Sequence, residues 1–128
     1  MPNMHLNYIA NALVPSSSGH TIPMLDPSDG KPFDAIQRSN AADIDAAVGA
    51  ARQCQDAVWS KLSATERGRL LMRLSAKVAE NAEELALIEQ RDCGKPTRQA
   101  RADTLALVRY FEFYAGACDK LHGDTIPY

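Results

Sequence analysis

Residues 97–121 read TRQARADTLALVRYFEFYAGACDKL, and this stretch decides the fold class. At 3.6 residues per turn, Arg98, Arg101, Arg109, Glu112, Asp119 and Lys120 fall on one arc. Leu107, Val108, Tyr110, Phe111, Tyr114, Ala115, Cys118 and Leu121 spread with Ala100 over roughly half the circumference. A surface helix needs an apolar stripe only a little over 100° wide. The reading is therefore a helix that packs on two sides, capped by Thr97, running to about Leu121 and ended by Gly123 and Pro127.

Towards the N-terminus the helical period continues. Asn81-Ala82-Glu83-Glu84 reads as a capping box that opens a short helix carrying Leu85, Leu87 and Ile88, with Gly94 as its C′ residue. Ser63-Ala64-Thr65-Glu66 opens another, whose buried stripe is predicted to be Leu70, Leu71, Leu74 and Val78. Asn40 caps a first helix with Asp43 in its opening turn and Trp59 closing it. Residues 1–38 read as extended. Tyr8 to Val14 is one strand-like stretch and Pro15 to Gly19 a turn or flexible loop. His20 to Leu25 and Phe33 to Arg38 form a hairpin-like pair around the Asp26-Pro27-Ser28-Asp29-Gly30 turn. Pro23, which has no N–H to donate, puts its strand at an edge. The expected fold is mainly α, about four helices over 40–121 behind a small β element, in a single partial domain.

Composition bounds the function. Of 128 residues, 20 are alanine and only 26 are Leu, Ile, Val or Phe, which suits thin, closely packed helices. Between Ser63 and Glu112 nine basic and eight acidic residues interleave. No basic stripe for nucleic acid is present. No transmembrane run and no secretory pattern is seen, so neither nucleic acid nor membrane is an expected partner. Cys54, Cys93 and Cys118 form no disulfide framework or metal knuckle, which points to a cytoplasmic setting.

Candidate chemistry is thin. Cys93 with His20 or His122 as base would be a nucleophile, but packing is the favoured reading of Cys93, as it is of Cys54 and Cys118. Lys95, Arg98 and Arg101 could cradle an anion, and a solvated basic arc is favoured. The glycines are isolated, so no G-x-G-x-x-G loop exists. Asp92 opposes the dipole of the helix it ends and calls for a cation or backbone donors. Asp103 lies on the apolar arc and needs a partner. Trp59, Phe111, Phe113 and Tyr114 read as core rather than as a stacking platform.

Five segments in register, over nearly all of residues 20–127, resemble the amino-terminal part of the NAD(P)-dependent aldehyde dehydrogenase superfamily. They are Leu25 to Pro32, similar to I-N-P-x-T-G-E with Asp26 in place of Asn, and Asp43 to Arg52 followed by Trp59. Then come Arg67 to Leu74 and Glu89 to Pro96, the latter similar to E-x-x-D-x-G-K-P. The last is Phe113-Tyr114-Ala115-Gly116 with Asp119, Lys120, Gly123 and Thr125-Ile126-Pro127.

The resemblance implies that the chain is the outer part of an α/β Rossmann-type coenzyme-binding domain. It implies NAD or NADP in the full-length enzyme and none bound by this chain alone. The family's P-W-N and E-L-G-G segments, cofactor turn and catalytic cysteine have no counterpart here, so no catalytic or cofactor-binding residue is assigned. Met24 and Leu25 (backbone oxygens) with Asp92 are the implied seat of a sodium or potassium ion. Two functions are expected as alternatives. One is an N-terminal fragment of an aldehyde dehydrogenase, inactive on its own. The other is a stand-alone helical interaction module. In either case self-association is expected through the uncovered apolar face, with the rest of the enzyme chain a further expected partner if present.

Overall fold

The computed structural model describes residues 3–124 and 126. They fall into two compact units, Met1–Lys61 with Arg91–Gly94, and Leu62–Gln90 with Lys95–Tyr128.

In the first unit, β1 (Asn3–His5), β5 (Pro32–Gln37) and β4 (Thr21–Leu25) form a sheet in the order β1-β5-β4. β4 and β5 are antiparallel around the Gly30 turn, as expected, and β4 with its Pro23 is an edge strand. β1 pairs in parallel with β5, which the sequence did not suggest. The stretch expected as one strand, Tyr8 to Val14, is instead a hairpin of β2 (Asn7–Ile9) and β3 (Ala12–Val14). Its two-residue turn puts Ala10 at φ 52 and Asn11 at φ 65. Left-handed conformation at both positions matches the twist of the strands, but alanine carries no sequence signal for it.

Helix α1 (Ala41–Ala57) starts on a reciprocal capping box. Asp43 N–H donates to Asn40 Oδ1 at 3.2 Å, and Asn40 N–H to Asp43 Oδ2 at 3.0 Å. Asp43 is buried and also accepts from Ser16 Oγ at 2.5 Å and from Ser17 N–H at 2.9 Å. The Pro15 to Gly19 loop is thereby pinned to the start of α1. These donors hold the Asp43 carboxyl far below the ordinary carboxylate range, the Ser16 hydroxyl contributing most. A short 3-10 turn, Trp59–Lys61, follows α1.

In the second unit, α2 (Ala64–Glu80) has the expected capping box, with Ser63 N–H donating to Glu66 Oε2 at 2.8 Å and Glu66 N–H to Ser63 Oγ at 3.2 Å. It packs along α4 (Thr97–Ala117). The seam is made of small residues. Gly68, Ser75 and Val78 of α2 are buried, as are Ala100, Thr104 and Ala115 of α4. Ser75 Oγ donates to the Val108 carbonyl at 3.0 Å. The predicted stripe is corrected accordingly, since Leu70 and Leu71 are half-buried and Leu74 is exposed. Close approach of the backbones at Gly68 rotates the small residues inward and leaves the leucines at the margin.

α3 (Ala82–Cys93) begins where expected, but not on the expected box. The Asn81 amide donates back to the Lys77 carbonyl at 2.8 Å, so Asn81 finishes α2. Likewise Thr97 is the first residue of α4 and not its cap. Its hydroxyl donates to Gln90 Oε1 at 2.7 Å, and the Pro96 carbonyl accepts the first helical N–H groups. α4 stops at Ala117 rather than near Leu121. Pro127, expected as a terminator, lies outside the described residues together with Thr125. Among the described residues no helix is long and apolar enough to cross a membrane.

Candidate functional site

The first unit brings together the two motifs that the sequence singled out around Pro27 and Gly94. In the turn, Asp26 Oδ1 accepts from Ser28 N–H at 2.9 Å and from Ser28 Oγ at 2.6 Å, while Gly30 N–H donates to the Asp26 carbonyl at 2.7 Å. The two Ser28 donors hold the Asp26 carboxyl below its ordinary value, and the Arg91 charge adds to this. Gly94, at φ 69, ends α3 directly against the turn, and a Cβ placed on it would lie 3.0 Å from Pro27 Cγ. Arg91, three residues before Gly94, sits with its guanidinium 4.3 Å from the centre of the Phe33 ring. No alignment of cysteines or glycines forecast this cation–aromatic contact.

Met24, Leu25 and Asp92, the residues expected to hold a cation, all belong to this first unit. Met24 and Leu25 flank a register shift at the end of β4, and Asp92 is exposed in the last turn of α3. Cys93, the final residue of α3, is exposed, and His20 precedes β4. His122 is exposed beyond α4, and Cys54 is exposed on α1. Cys118 is half-buried, its Sγ donating to the Tyr114 carbonyl at 3.2 Å. Among the described residues no three His, Cys, Asp or Glu side chains cluster as a metal site.

In the second unit the basic trio is divided among carboxylates. Lys95 Nζ bridges Glu89 and Asp103, the latter at 2.8 Å, and Gln99 also donates to Asp103 at 2.7 Å. These donors hold the Asp103 carboxyl low, and the two carboxylates raise Lys95. This is the partner that Asp103 lacked in the sequence reading. Arg101 pairs with Glu83 at 2.5 Å. With Lys95 and Arg101 already paired to carboxylates, the favoured solvated-arc reading describes the trio better than an anion cradle.

α4 buries one side against α2 and leaves the opposite arc open. Leu107, Tyr110, Phe113 and Tyr114 are 40%, 60%, 69% and 59% exposed. Phe113 and Tyr114 meet edge to face with ring centres 5.2 Å apart. An open groove of about 540 Å³ runs along Ala106, Arg109, Tyr110, Phe113 and Tyr114. The core reading of these aromatics is corrected here. Phe111 is half-buried, whereas Phe113, Tyr114 and Trp59 are exposed.

The sequence model of the aldehyde dehydrogenase family matches residues 13–128, nearly the whole chain. The chain belongs to the aldehyde dehydrogenase family. It is 41% identical over 122 residues to aldehyde dehydrogenase [NAD(P)+] 2 of Saccharomyces cerevisiae, a match that takes in 94% of this chain and 24% of the yeast protein. It is 43% identical over 126 residues to the mitochondrial aldehyde dehydrogenase family 2 member B4 of Arabidopsis thaliana, covering 96% and 23%. Among solved structures, a Burkholderia cenocepacia protein described as an aldehyde dehydrogenase superposes with TM-score 0.91 at 58% identity, covering 96% of this chain and 26% of that one. PnpE in complex with nicotinamide adenine dinucleotide superposes with TM-score 0.89 at 39% identity, covering 100% and 26%. This aldehyde dehydrogenase segment thus spans about a quarter of the length of the relatives it matches, at their amino-terminal end.

Proposed function

We propose that this chain forms the outer helices and edge strands of the coenzyme-binding domain of an NAD(P)-dependent aldehyde dehydrogenase and turns over no aldehyde by itself. The unbroken match over residues 13–128, against a quarter of each relative, carries this reading. In the complete enzyme a cysteine thiolate outside the matched quarter would add to the aldehyde carbonyl, and NAD(P) would accept the hydride. Water would then hydrolyse the thioester to the acid and restore the thiolate. The isolated glycines of this chain offer no loop to hold a nucleotide phosphate, so its residues are given no part in hydride transfer. Aldehyde-dependent NADH or NADPH formation by the purified 128-residue chain would overturn the inactive-alone reading.

For the alkali cation we keep the Met24 and Leu25 carbonyls with Asp92. The contact of Gly94 with Pro27 supports this, because it holds the Asp92 segment against the turn that follows Leu25. Oxygen donors suit a hard cation, whose charge would offset a carboxylate at a helix C-terminus. Equal melting temperatures in sodium, potassium and choline chloride at one ionic strength would count against it.

The exposed face of α4 favours the second reading, a helical interaction module that self-associates when alone. A monodisperse monomer in sedimentation, with no binding of an apolar dye, would remove it. The scattered cysteines support placement in the cytoplasm. Localisation of the tagged chain in its host tests that placement.

A further inference from the structure

We propose that Arg91 is the charge-selecting residue of the cation seat, its guanidinium restricting the Met24, Leu25 and Asp92 oxygens to a monovalent ion and turning a divalent one away. The proposal rests on the cation reading above. The β4–β5 ladder is broken at the strand half of that seat. Met24 pairs with Asp34 and Leu25 with Pro32, so the register shift between Met24 and Leu25 skips Phe33. A bulge leaves one residue on the longer side without a partner in the ladder, and here that residue is Phe33, between the partners of Leu25 and Met24. The Phe33 ring carries Arg91, whose guanidinium carbon lies 4.3 Å from the ring centre. Arg91 is also the residue before Asp92 in the last turn of α3. One side chain thus starts beside the helix donor and ends over the residue that interrupts the ladder at the strand donors.

Two carbonyls and one carboxylate carry a single negative charge, which one alkali ion balances. A divalent ion leaves an excess positive charge, and its Coulomb repulsion from Arg91 is twice that of a monovalent ion. Calcium affinity in oxygen sites also depends on the number of charged ligands, and this set has one. An arginine suits a standing field, because it keeps its charge at every working pH and stacks flat on aromatic faces. The stacking partner here is a ring and not a carboxylate, so the contact leaves the charge uncancelled. The same charge acts on Asp26, the residue after Leu25. Asp26 itself is not counted among the donors, since its Oδ1 is taken up by Ser28 N–H and Oγ at 2.9 and 2.6 Å.

The test follows the melting temperature of the purified protein in titrations of potassium, sodium and calcium chloride, with choline chloride holding one low ionic strength. The shifts convert to apparent affinities. The readout is the ratio of calcium to potassium affinity, in which a general loosening of the seat cancels and the charge does not. Arg91→Met and Arg91→Gln remove the charge and should each raise the ratio about threefold or more, as one unit of charge about 6 Å away does in water-like surroundings. Arg91→Lys keeps the charge and should keep the parental ratio. Phe33→Leu frees the guanidinium from its ring and should raise the ratio part of the way. Asp92→Asn should abolish the response to every ion, with circular dichroism confirming the helices of all variants. A parental ratio in both neutral variants overturns the proposal and leaves the cation reading, as does an equal rise in Arg91→Lys. Should neither neutral variant fold, Phe33→Leu decides, and a parental ratio there overturns the proposal. A parent that responds to none of the ions, or an Asp92→Asn variant that responds as the parent does, removes the cation reading and the proposal together.

Discussion

A Cβ placed on Gly68 would lie 2.6 Å from the carbonyl oxygen of Ala115. No real Cβ tolerates that distance, so the backbones of α2 and α4 meet as closely as they do only because residue 68 has no side chain. Gly68→Ala must push the helices apart and loosen the Ser75–Val108 hydrogen bond seven residues along. A loss of about 1–3 kcal/mol is expected. Gly49→Ala, at an exposed α1 position with nothing within 4 Å, should gain about 0.5–1 kcal/mol instead. Denaturant unfolding of the two variants checks the contrast, and equal effects would contradict the close-approach account.

The junction at Gly94 predicts a second asymmetry. Both Gly94 and Gly30 have left-handed φ, 69 and 72, but only Gly94 has a neighbour, Pro27, where a Cβ would go. Gly30→Ala should cost about 1–2 kcal/mol for the left-handed conformation alone. Gly94→Ala adds the Pro27 contact and should cost more. If thermal melting ranks them the other way, the α3 end does not rest on the turn as described.

At the β2–β3 hairpin the strained residue is Ala10, at φ 52 without any glycine-like freedom. Ala10→Gly relieves a left-handed penalty of about 1 kcal/mol. Slower amide exchange at Ile9 and Ala12, the pair that closes the two-residue turn, is the expected signature. Unchanged or faster exchange would show that the turn holds no such penalty.

Acid should unpin the Pro15–Gly19 loop. The Asp43 carboxyl is depressed in the folded chain, so its contribution is fully present above the ordinary carboxylate value of 3.8. That contribution falls as pH drops below 3.8 towards the lower folded value. Asp43→Asn should destabilise the chain at neutral pH and flatten the acid limb of its stability profile. Urea melts at pH 7 and pH 3 test this, and a variant with the parental acid limb would rule it out.

Much of the architecture is legible in the amino-acid sequence. Asn40 with Asp43, and Ser63 with Glu66, mark helix starts because a capping box is local, needing residues only three apart. The turn at Gly30 is local in the same way. Less legible were Ala10, whose residue type hides its conformation, and Asn81 and Thr97. The last two are good caps by type, but each found a different hydrogen bond once its neighbours were in place. Of the candidate site, the motif residues were visible, whereas the contacts of Gly94 with Pro27 and of Arg91 with Phe33 were not.

The sequence by itself determined the helix count, the helix starts at Asn40 and Ser63, the hairpin around Gly30 and the family, because periodicity, capping and motif spacing are written along the chain. Only the tertiary structure decided which side of α4 is covered. The wheel of α4 shows an apolar arc without saying what meets it. Choosing between its two halves takes a partner surface, and Gly68 on α2, some 47 positions before Ala115, is what draws one half inward. Tyr110, Phe113 and Tyr114 are left outside for the same reason, since small residues opposite small residues bring two backbones closer than aromatic rings allow.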